Sequence, residues 1–527
     1  MKPIRLVTGF LTVGVWTLLS RVFGFARDVM IAAFLGAGPV AEAFLIAFSL
    51  PNMFRRFFAE GAFNTAFVPL FSKKVEGQED AGAFAQDAFS ALGGLLIAFT
   101  LLAQLAMPWL VLAMASGFAG DVRFDLAVSF GRIAFVYILF ISLAALLSGV
   151  LNATGRFAAA AAAPVLLNMT LIGVIWAAAA SSGSIEGDFA PGVSALSVHI
   201  GTWMTWAIPI AGVVQMALVW VAAARAGFVL RLRMPRLTPD LKQLAIIALP
   251  AMLAGGVMQI NLLVGRQVAS FFDGAIAWLS YADRLYQLPL GVVGIAIGVV
   301  LLPDLSRRLR AQDDAGGRDA LSRAGEMSMA LTVPSAVALI VVPGALVSVL
   351  FGRGAFGPQD IDATAMAVAV YGAGLPAFVL QKVLQPLYFA REDTRTPFRY
   401  ALIAMVINAV VAVGMAYAIG FLGAAIGTTV AAWAMVWLLY RGTRDMGDVA
   451  RFDARFRGRV PRIVAASLVM GVALLAMAYL LAPLLVLGGL RWLALLVLIL
   501  AGMVVYFTVG HLIGAFRLGE FRRAVRR

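Results

Sequence analysis

Charged side chains stand inside stretches of the sequence that are otherwise apolar. Arg55 and Arg56 lie in SLPNMFRRFFAEGAF, residues 49–63, and the surrounding apolar character extends over residues 40–71. A charge at the centre of a bilayer costs about 2.5–3.5 kcal/mol on insertion scales, so such side chains are expected to face water or a charged partner. Arg132 lies near the end of its stretch and can reach the interface. The basic residues in such stretches are Arg21, Arg27, Arg55, Arg56, Arg132, Arg266, Arg284 and Lys382.

The acidic residues in the same stretches are fewer. Arg56 and Glu60 are four residues apart, which places them on one helix face, so a purely structural ion pair is one interpretation of these two. Without Arg132, seven basic residues remain in these stretches, and only four acidic residues could neutralise them. The surplus of positive charge predicts an anionic ligand. The planar fork of arginine binds phosphate better than lysine does. We therefore predict a cationic cavity for a phosphate or carboxylate substrate. The four acids are Asp28, Glu42, Glu60 and Asp283.

The composition identifies the class of protein. Of the 527 residues 62% are hydrophobic and 13% are charged, whereas about a quarter are charged in soluble domains. The chain is therefore predicted to be an all-α polytopic membrane protein. It has no cysteine and two distant histidines, which argues against thiol chemistry and a metal site. Since no nucleotide motif and no nucleophile with a base is found, we predict neither an enzyme nor a bound cofactor, and no nucleic-acid partner.

Fourteen apolar segments are long enough to cross a bilayer, which takes about 20 residues. With a cytoplasmic N-terminus, thirty of the 41 Lys and Arg side chains fall in cytoplasmic loops and tails. Only Arg123, Arg353 and Arg491 then fall outside. This asymmetry predicts that both termini are cytoplasmic. The predicted spans are 8–34, 40–71, 84–114, 126–150, 157–180, 201–224, 242–270, 276–305, 326–350, 361–388, 398–418, 420–440, 460–482 and 489–513.

An internal repeat relates the two halves of the chain. VPLFSKK at 68–74 corresponds to LPDLSRR at 302–308, and LLN at 166–168 corresponds to VIN at 406–408. Spans 1–6 and 7–12 are then two six-helix lobes with the same orientation, related by a parallel pseudo-two-fold axis. Such lobes meet around a central cavity. The predicted organisation is an N-lobe over 1–225, a C-lobe over 226–445 and two further helices within 446–527.

Four segments carry a family resemblance. They are SRVFGFARD (20–28), LPNMFRRFFAEGAFNTAFVP (50–69), YADRL (281–285) and REDTRTP (391–397). Together they resemble the MurJ/MviN family of lipid II flippases, which serve bacterial peptidoglycan synthesis and belong to the multidrug/oligosaccharidyl-lipid/polysaccharide exporter superfamily. The resemblance extends over essentially the whole chain. It implies a substrate made of undecaprenyl-pyrophosphate carrying a disaccharide-pentapeptide, moved from the cytoplasmic to the periplasmic leaflet.

The resemblance also implies roles for the charged residues. Glu42 departs from the family, because many members have Asp there, and Arg266 is an additional cation with no family role. The supporting acids are expected to be Asp28, Glu42, Glu60 and Asp283. The last two helices are expected to form a groove for the polyprenyl tail. The family's cavity arginines correspond to Arg21, Arg27, Arg55 and Arg284, and Lys382 lies near a basic position of relatives. With Arg56, which the charge pattern adds, the cations expected to bind the pyrophosphate and the sugar-peptide head group are Arg21, Arg27, Arg55, Arg56, Arg284 and Lys382.

The implied mechanism is alternating access between the lobes in the bacterial inner membrane. The head group enters the cationic cavity while the tail stays in lipid, and rocking of the lobes then exposes the head group to the periplasm. We expect no cofactor, and either the membrane potential or a monovalent cation to reset the cycle. One charge moving through 100 mV is worth about 2.3 kcal/mol, which is enough to bias such a step. The expected partners are lipid II, membrane lipids and enzymes of cell-wall synthesis.

Three alternatives remain open on the sequence. A flippase for another polyprenyl-pyrophosphate glycan would need a similar cavity, and only the specific motifs argue against it. A cation-coupled drug exporter of the same superfamily would favour an acidic cavity. A membrane glycosyltransferase generally needs a catalytic acid on a sizeable outer loop, and the longest outer loop, at about 181–200, offers only Glu186 and Asp188.

Overall fold

The chain folds almost entirely into helices. The structure is a computed structural model that describes residues 6–56, 62–77, 79–181, 188–190 and 192–516. The described residues form two compact units. The first covers 1–277 together with 354–356, and the second covers 278–353 together with 357–527. The predicted lobe boundaries at 225 and 445 stay predictions.

The first unit contains nine complete α-helices, one short 3-10 helix (Ser116–Phe118) and one short hairpin among its described residues. The hairpin strands β1 (Asp188–Ala190) and β2 (Val193–Ser194) are antiparallel, with Asp188 opposite Ser194 and Ala190 opposite Val193. The helices are α1 (Leu6–Leu35), α2 (Pro39–Arg55), α3 (Ala62–Glu76), α4 (Ala81–Met114), α5 (Val122–Phe135), α6 (Tyr137–Ala153), α7 (Ala158–Ala180), α8 (Ala195–Arg225) and α9 (Pro239–Ser270).

The second unit contains eight further helices in its described part, of which α10 begins with three residues assigned to the first unit. A short 3-10 helix, Asp448–Ala450, precedes α16. The helices are α10 (Ala275–Arg310), α11 (Asp314–Val341), α12 (Pro343–Leu350), α13 (Pro358–Phe389), α14 (Arg395–Ile419), α15 (Leu422–Gly442), α16 (Ala454–Val486) and α17 (Arg491–Leu512).

Short polar side chains begin several of these helices. Each accepts a hydrogen bond from a first-turn backbone N–H that has no partner within the helix, which stabilises the helix start by about 1 kcal/mol. Proline has a related role at α2, α9, α12 and α13, where it occupies the first turn and needs no hydrogen-bond acceptor. The capping side chains are Asp80 for α4, Asp121 for α5, Ser194 for α8, Thr238 for α9, Asp313 for α11 and Asp453 for α16.

The membrane class is confirmed. Ten stretches within the described residues are long and apolar enough to cross a bilayer, and each coincides with a predicted span. The other four predicted spans, 8–34, 40–71, 242–270 and 276–305, coincide with α1, with α2 and α3, with α9 and with α10. The exact number of fourteen spans stays a prediction.

Three predicted spans contain two helices each. The span at 40–71 consists of α2 and α3, and the span at 126–150 consists of α5 and α6, which meet at Val136. Within the span at 326–350, α11 ends at Val341 and α12 begins at Pro343. Proline lacks the backbone N–H that a continuous helix would use, so the break falls at this residue.

The last two helices pack on α11 and α12 of the same unit. An apolar cluster joins Met329 of α11 to Ile463 and Met470 of α16 and to Leu498 of α17. The Tyr506 hydroxyl of α17 donates a 2.7 Å hydrogen bond to the Ala330 carbonyl.

An ion network fixes the start of α16 to α11. Glu326, which is 8% exposed, accepts hydrogen bonds from Arg323, Arg455 and Arg459. The Asp453 side chain pairs with Arg323. A buried carboxylate surrounded by guanidinium groups is a strong positional constraint, because any displacement leaves charge unpaired.

Candidate functional site

The most fully defined part of the candidate site lies between α1 and α7. Arg27 forms a 2.7 Å ion pair with Asp28, and its Nη1 donates a 2.9 Å hydrogen bond to the Asn168 side-chain oxygen. The Asn168 amide nitrogen in turn donates to the Ser20 carbonyl at 3.0 Å. Arg27 and Asp28 are each 6% exposed. The Arg27 guanidinium is therefore held in one orientation by two side chains.

An aromatic ring borders the same guanidinium. Arg27 Cζ lies 5.4 Å from the centroid of the Phe48 ring on α2, a cation–π contact. Arg21, one and a half turns earlier on α1, is exposed. Among the described residues no carboxylate lies within ion-pair distance of Arg21. Helix α1 thus carries one anchored cation and one accessible cation.

The end of α2 carries the double arginine of the sequence. Arg55 is the last residue of α2 and is half-buried, and Arg56 follows it and is exposed. The ring of Phe54 contacts Phe99 and Phe135 edge-on, with centroids 5.1 and 5.7 Å away, so aromatic packing fixes this helix end. Glu60, the predicted partner of Arg56, lies outside the described residues.

Glu42 is placed away from the Arg27 cluster. It lies in the first turn of α2, is 1% exposed and pairs with Arg123 of α5 at 3.1 Å. Its other oxygen accepts a 3.0 Å hydrogen bond from the backbone N–H of Ile276. Arg123 also pairs with Asp121 at 2.5 Å and Asp273 at 2.9 Å. Glu42 thus links the start of α2 to α5 and to the start of α10.

The second unit contains Asp283, Arg284 and Lys382, three further candidate residues of the sequence. Asp283 and Arg284 on α10 are half-buried, and the Gln287 side chain donates to Asp283. Beside them, the Tyr286 ring lies 5.1 Å from Tyr371 and 5.2 Å from Phe378 on α13, measured between centroids.

Lys382 is exposed on α13. Its neighbour Gln381 donates a 3.0 Å hydrogen bond to the Ala432 carbonyl of α15, which fixes the rotation of α13 at this level. Arg266, the additional cation of the sequence, is half-buried near the end of α9. In the part of the chain that the structure describes, no three His, Asp or Glu side chains are grouped as metal ligands would be.

Sequence reasoning missed two residues of these clusters. Arg123 counted only as an outer-loop charge, although its 5% exposure and three carboxylate partners make it the centre of a cluster. Asn168 entered only through the internal repeat, and its contact with Arg27 was not foreseen. A polar amide in the middle of the apolar run PVLLNMTLIGV was the available signal, because such a group needs a hydrogen-bond partner in a membrane span.

Comparison with known proteins gives the family. The family described as "Lipid II flippase MurJ" matches residues 31–499. A protein of Rhizobium meliloti (strain 1021) named "Probable lipid II flippase MurJ" is 44% identical over 529 residues, which cover 99% of this chain and 96% of that protein.

Solved structures show the same fold. The structure described as "Lipid II flippase MurJ, inward closed conformation" matches with a TM-score of 0.76 at 24% identity, covering 98% of this chain and 100% of that one. An inward-facing multidrug resistance MATE family transporter of the MOP superfamily matches with a TM-score of 0.60 at 15% identity, covering 84% of this chain and 95% of that one. The family match spans nearly all helices described above, and the chain belongs to the lipid II flippase MurJ family.

Proposed function

We infer that this protein moves lipid II from the cytoplasmic to the periplasmic leaflet by alternating access. The observation that carries the inference is the family match over residues 31–499. This match extends over most of both compact units, and it includes all the candidate cations except Arg21 and Arg27. Moving lipid II between leaflets makes and breaks no covalent bond, so the proposed activity is that of a transporter rather than an enzyme. Its proposed location is the bacterial inner membrane, with both termini cytoplasmic.

The proposed binding group for the pyrophosphate and the sugar-peptide head group is the set of intramembrane cations. The pairing of Glu42 with Arg123 supports this assignment, because it removes one acid from those that could neutralise the set. Three acids, Asp28, Glu60 and Asp283, then remain. Asp28 and Asn168 hold the Arg27 guanidinium in one orientation. This also supports the assignment, because a pre-oriented hydrogen-bond donor loses less entropy when it binds a phosphate. The set is Arg21, Arg27, Arg55, Arg56, Arg284 and Lys382.

The polyprenyl tail is proposed to lie along α16 and α17. Large apolar side chains on these helices, among them Val472, Tyr479 and Val504, are 69%, 84% and 65% exposed. An exposed apolar surface of this kind suits a hydrocarbon chain. The membrane potential or a monovalent cation is proposed to reset the transporter, and enzymes of cell-wall synthesis are proposed as further partners.

The orientation of lipid II in cells tests the function. The protein is depleted, and an enzyme that cleaves lipid II only on the periplasmic face is then added. We expect total lipid II to rise while the cleavable fraction collapses, with restoration on re-expression. An unchanged cleavable fraction would overturn the proposal. Loss of a surface polysaccharide with normal growth would instead indicate another polyprenyl-linked glycan.

A further inference from the structure

Two arginines that the sequence places outside the membrane lie together in the second unit. Arg353 follows α12 and Arg491 is the first residue of α17. Arg491 Nη1 donates a 2.9 Å hydrogen bond to the Gly352 carbonyl, next to Arg353 in the chain. The Arg353 guanidinium lies 4.9 Å from the ring centroid of Trp492, the residue after Arg491. Two positive groups therefore share one small region at the start of α17.

Neutral groups hold these guanidinium groups in place. Arg353 Nη2 donates to the carbonyls of Val349 and Leu350, at 2.8 and 2.7 Å, in the last turn of α12. Within the described part of the chain, neither Arg353 nor Arg491 has a carboxylate within 4 Å. Burial, and secondly the charge of Arg491, lower the pKa of Arg353 from its ordinary value. The two like charges thus lack the counter-charge that such a pair needs.

Each arginine also keeps a donor unused. The Nε atoms of Arg353 and Arg491 are both buried and make no hydrogen bond in the described structure. A buried N–H without an acceptor costs about 1–3 kcal/mol. Two arginines that lack a carboxylate partner in the described structure, at the start of a helix whose first-turn amides carry partial positive charge, favour an anion beside them.

The surroundings of this site are apolar and exposed. Leu490, Trp492 and Leu493 are 47%, 44% and 57% exposed. A soluble anion would gain nothing from this surface, whereas a lipid could place its phosphate on the arginines and its acyl chains along α17. Arginine also binds phosphate oxygens through two parallel hydrogen bonds.

We propose that Arg353 and Arg491 bind the phosphodiester of an anionic membrane lipid at the outer end of α17. This lipid site is separate from the intramembrane cations assigned to the transported head group. It would hold a lipid against α12 and α17 through the phosphate, with the acyl chains on the exposed apolar residues.

A local reporter measures binding at this site alone. The chain has no cysteine, so Gly488→Cys in the full-length protein provides a single attachment point for an environment-sensitive fluorophore. A Cβ at Gly488 meets no atom within 4 Å, so the substitution should not disturb packing. The purified protein in detergent is titrated with phosphatidylglycerol, with diacylglycerol of the same acyl chains, and with inorganic phosphate.

We expect saturable binding of phosphatidylglycerol, at least tenfold weaker binding of diacylglycerol, and no response to inorganic phosphate at millimolar concentration. The double variant Arg353→Gln, Arg491→Gln should bind phosphatidylglycerol at least tenfold more weakly. Arg441→Gln is the matched control, because Arg441 also lies over a tryptophan, 5.2 Å from Trp437, at the end of α15. Its affinity should stay within twofold of the parent.

A second pair of variants leaves both arginines intact. A Cβ at Gly489 meets no atom within 4 Å, so Gly489→Asp adds a competing carboxylate, and Gly489→Asn adds the same shape without charge. The Gly489→Asp variant should bind phosphatidylglycerol about tenfold more weakly than the Gly489→Asn variant. Equal affinities for Asp and Asn, or unchanged affinity in the folded double variant, would overturn the proposal. If inorganic phosphate gave the same fluorescence response as phosphatidylglycerol, the site would bind free phosphate rather than a lipid, and the proposal of a lipid ligand would be overturned.

Discussion

At the scale of single residues, the anchoring of Arg27 combines its ion pair with Asp28 and one hydrogen bond to the Asn168 amide. Asn168 accepts from Arg27 Nη1 and donates to the Ser20 carbonyl, and its side chain is buried between α1 and α7. Removing the amide leaves Arg27 Nη1 without this acceptor and loosens the guanidinium, although its pair with Asp28 remains. The residue therefore acts by positioning Arg27.

We predict that Asn168→Leu, which keeps the branching and the number of side-chain heavy atoms, lowers the free energy of unfolding by about 1–3 kcal/mol. Lipid II transport in reconstituted vesicles should fall by at least tenfold at equal protein amount. Thr205→Val is the control, because Thr205 is also buried and, among the residues that the structure describes, its hydroxyl bonds only to the Gly201 carbonyl of its own helix. Transport by Asn168→Leu at the parental rate would show that Arg27 does not need the Asn168 hydrogen bond.

The length of the Glu42 side chain matters in its cluster. Its two oxygens reach Arg123 at 3.1 Å and the Ile276 N–H at 3.0 Å simultaneously. Aspartate is one methylene shorter and cannot reach both partners without moving α2.

Glu42→Asp is therefore predicted to lower the free energy of unfolding by about 1–3 kcal/mol, the cost of one buried unsatisfied group. Thermal unfolding of the detergent-purified protein measures this change. Glu42→Gln keeps the reach but loses the charge, and it separates the two contributions. If Glu42→Asp unfolds like the parent yet fails to transport lipid II, then Glu42 acts on the substrate rather than as a link between helices.

At the scale of helices and turns, the REDTRTP segment is a helix start. Asp393 accepts a 2.9 Å hydrogen bond from the Thr396 N–H in the first turn of α14, and Arg391 donates to the Leu387 and Met446 carbonyls at 2.9 Å. The Thr396 backbone and hydroxyl hold the pKa of Asp393 below its ordinary value. Its stabilising effect is therefore present above the ordinary aspartate pKa and is lost as the pH falls through the lowered value.

We predict that Asp393→Ala lowers the free energy of unfolding by about 1 kcal/mol at pH 7. The difference from the parent should shrink as the pH falls below about 4, where the carboxylate becomes protonated in both states. Asp393→Asn keeps an accepting oxygen that does not titrate, so its difference from Asp393→Ala should be independent of pH. Unfolding curves at several pH values provide the measurement, and a pH-independent gap between Asp393→Ala and the parent would contradict the argument.

At the scale of the whole molecule, the proposed binding group includes cations assigned to each of the two compact units. Arg55 belongs to the first unit and Arg284 to the second. If both bind the head group, loss of either should stop transport without affecting insertion into the membrane.

Arg55→Ala and Arg284→Ala are each expected to reduce lipid II transport by at least a hundredfold and to fail to support growth of depleted cells. Arg132→Ala is the matched control, because Arg132 is exposed near the end of a predicted span and should be dispensable. Expression and membrane insertion are checked by immunoblot of membrane fractions. Full complementation by either Arg55→Ala or Arg284→Ala at normal expression would refute the cationic binding group.

The sequence alone determined the membrane class, the approximate positions of the apolar spans and the excess of basic over acidic residues within them. These features are local: a span needs a run of apolar residues, and a charge within it is costly wherever its partner lies. The motifs also identified the family, because they are contiguous in the chain.

Only the tertiary structure decided which charged groups meet. Asn168 reaches Arg27 across 141 residues, and Glu42 reaches Arg123 across 81. Helical periodicity gives the face on which a residue lies, but not the helix that packs against that face. The sequence therefore did not show that Glu42 pairs with Arg123 of α5, and the supporting role of Glu42 stays a prediction. Arg353 and Arg491 likewise looked like separate loop charges until the packing of α12 and α17 brought them together.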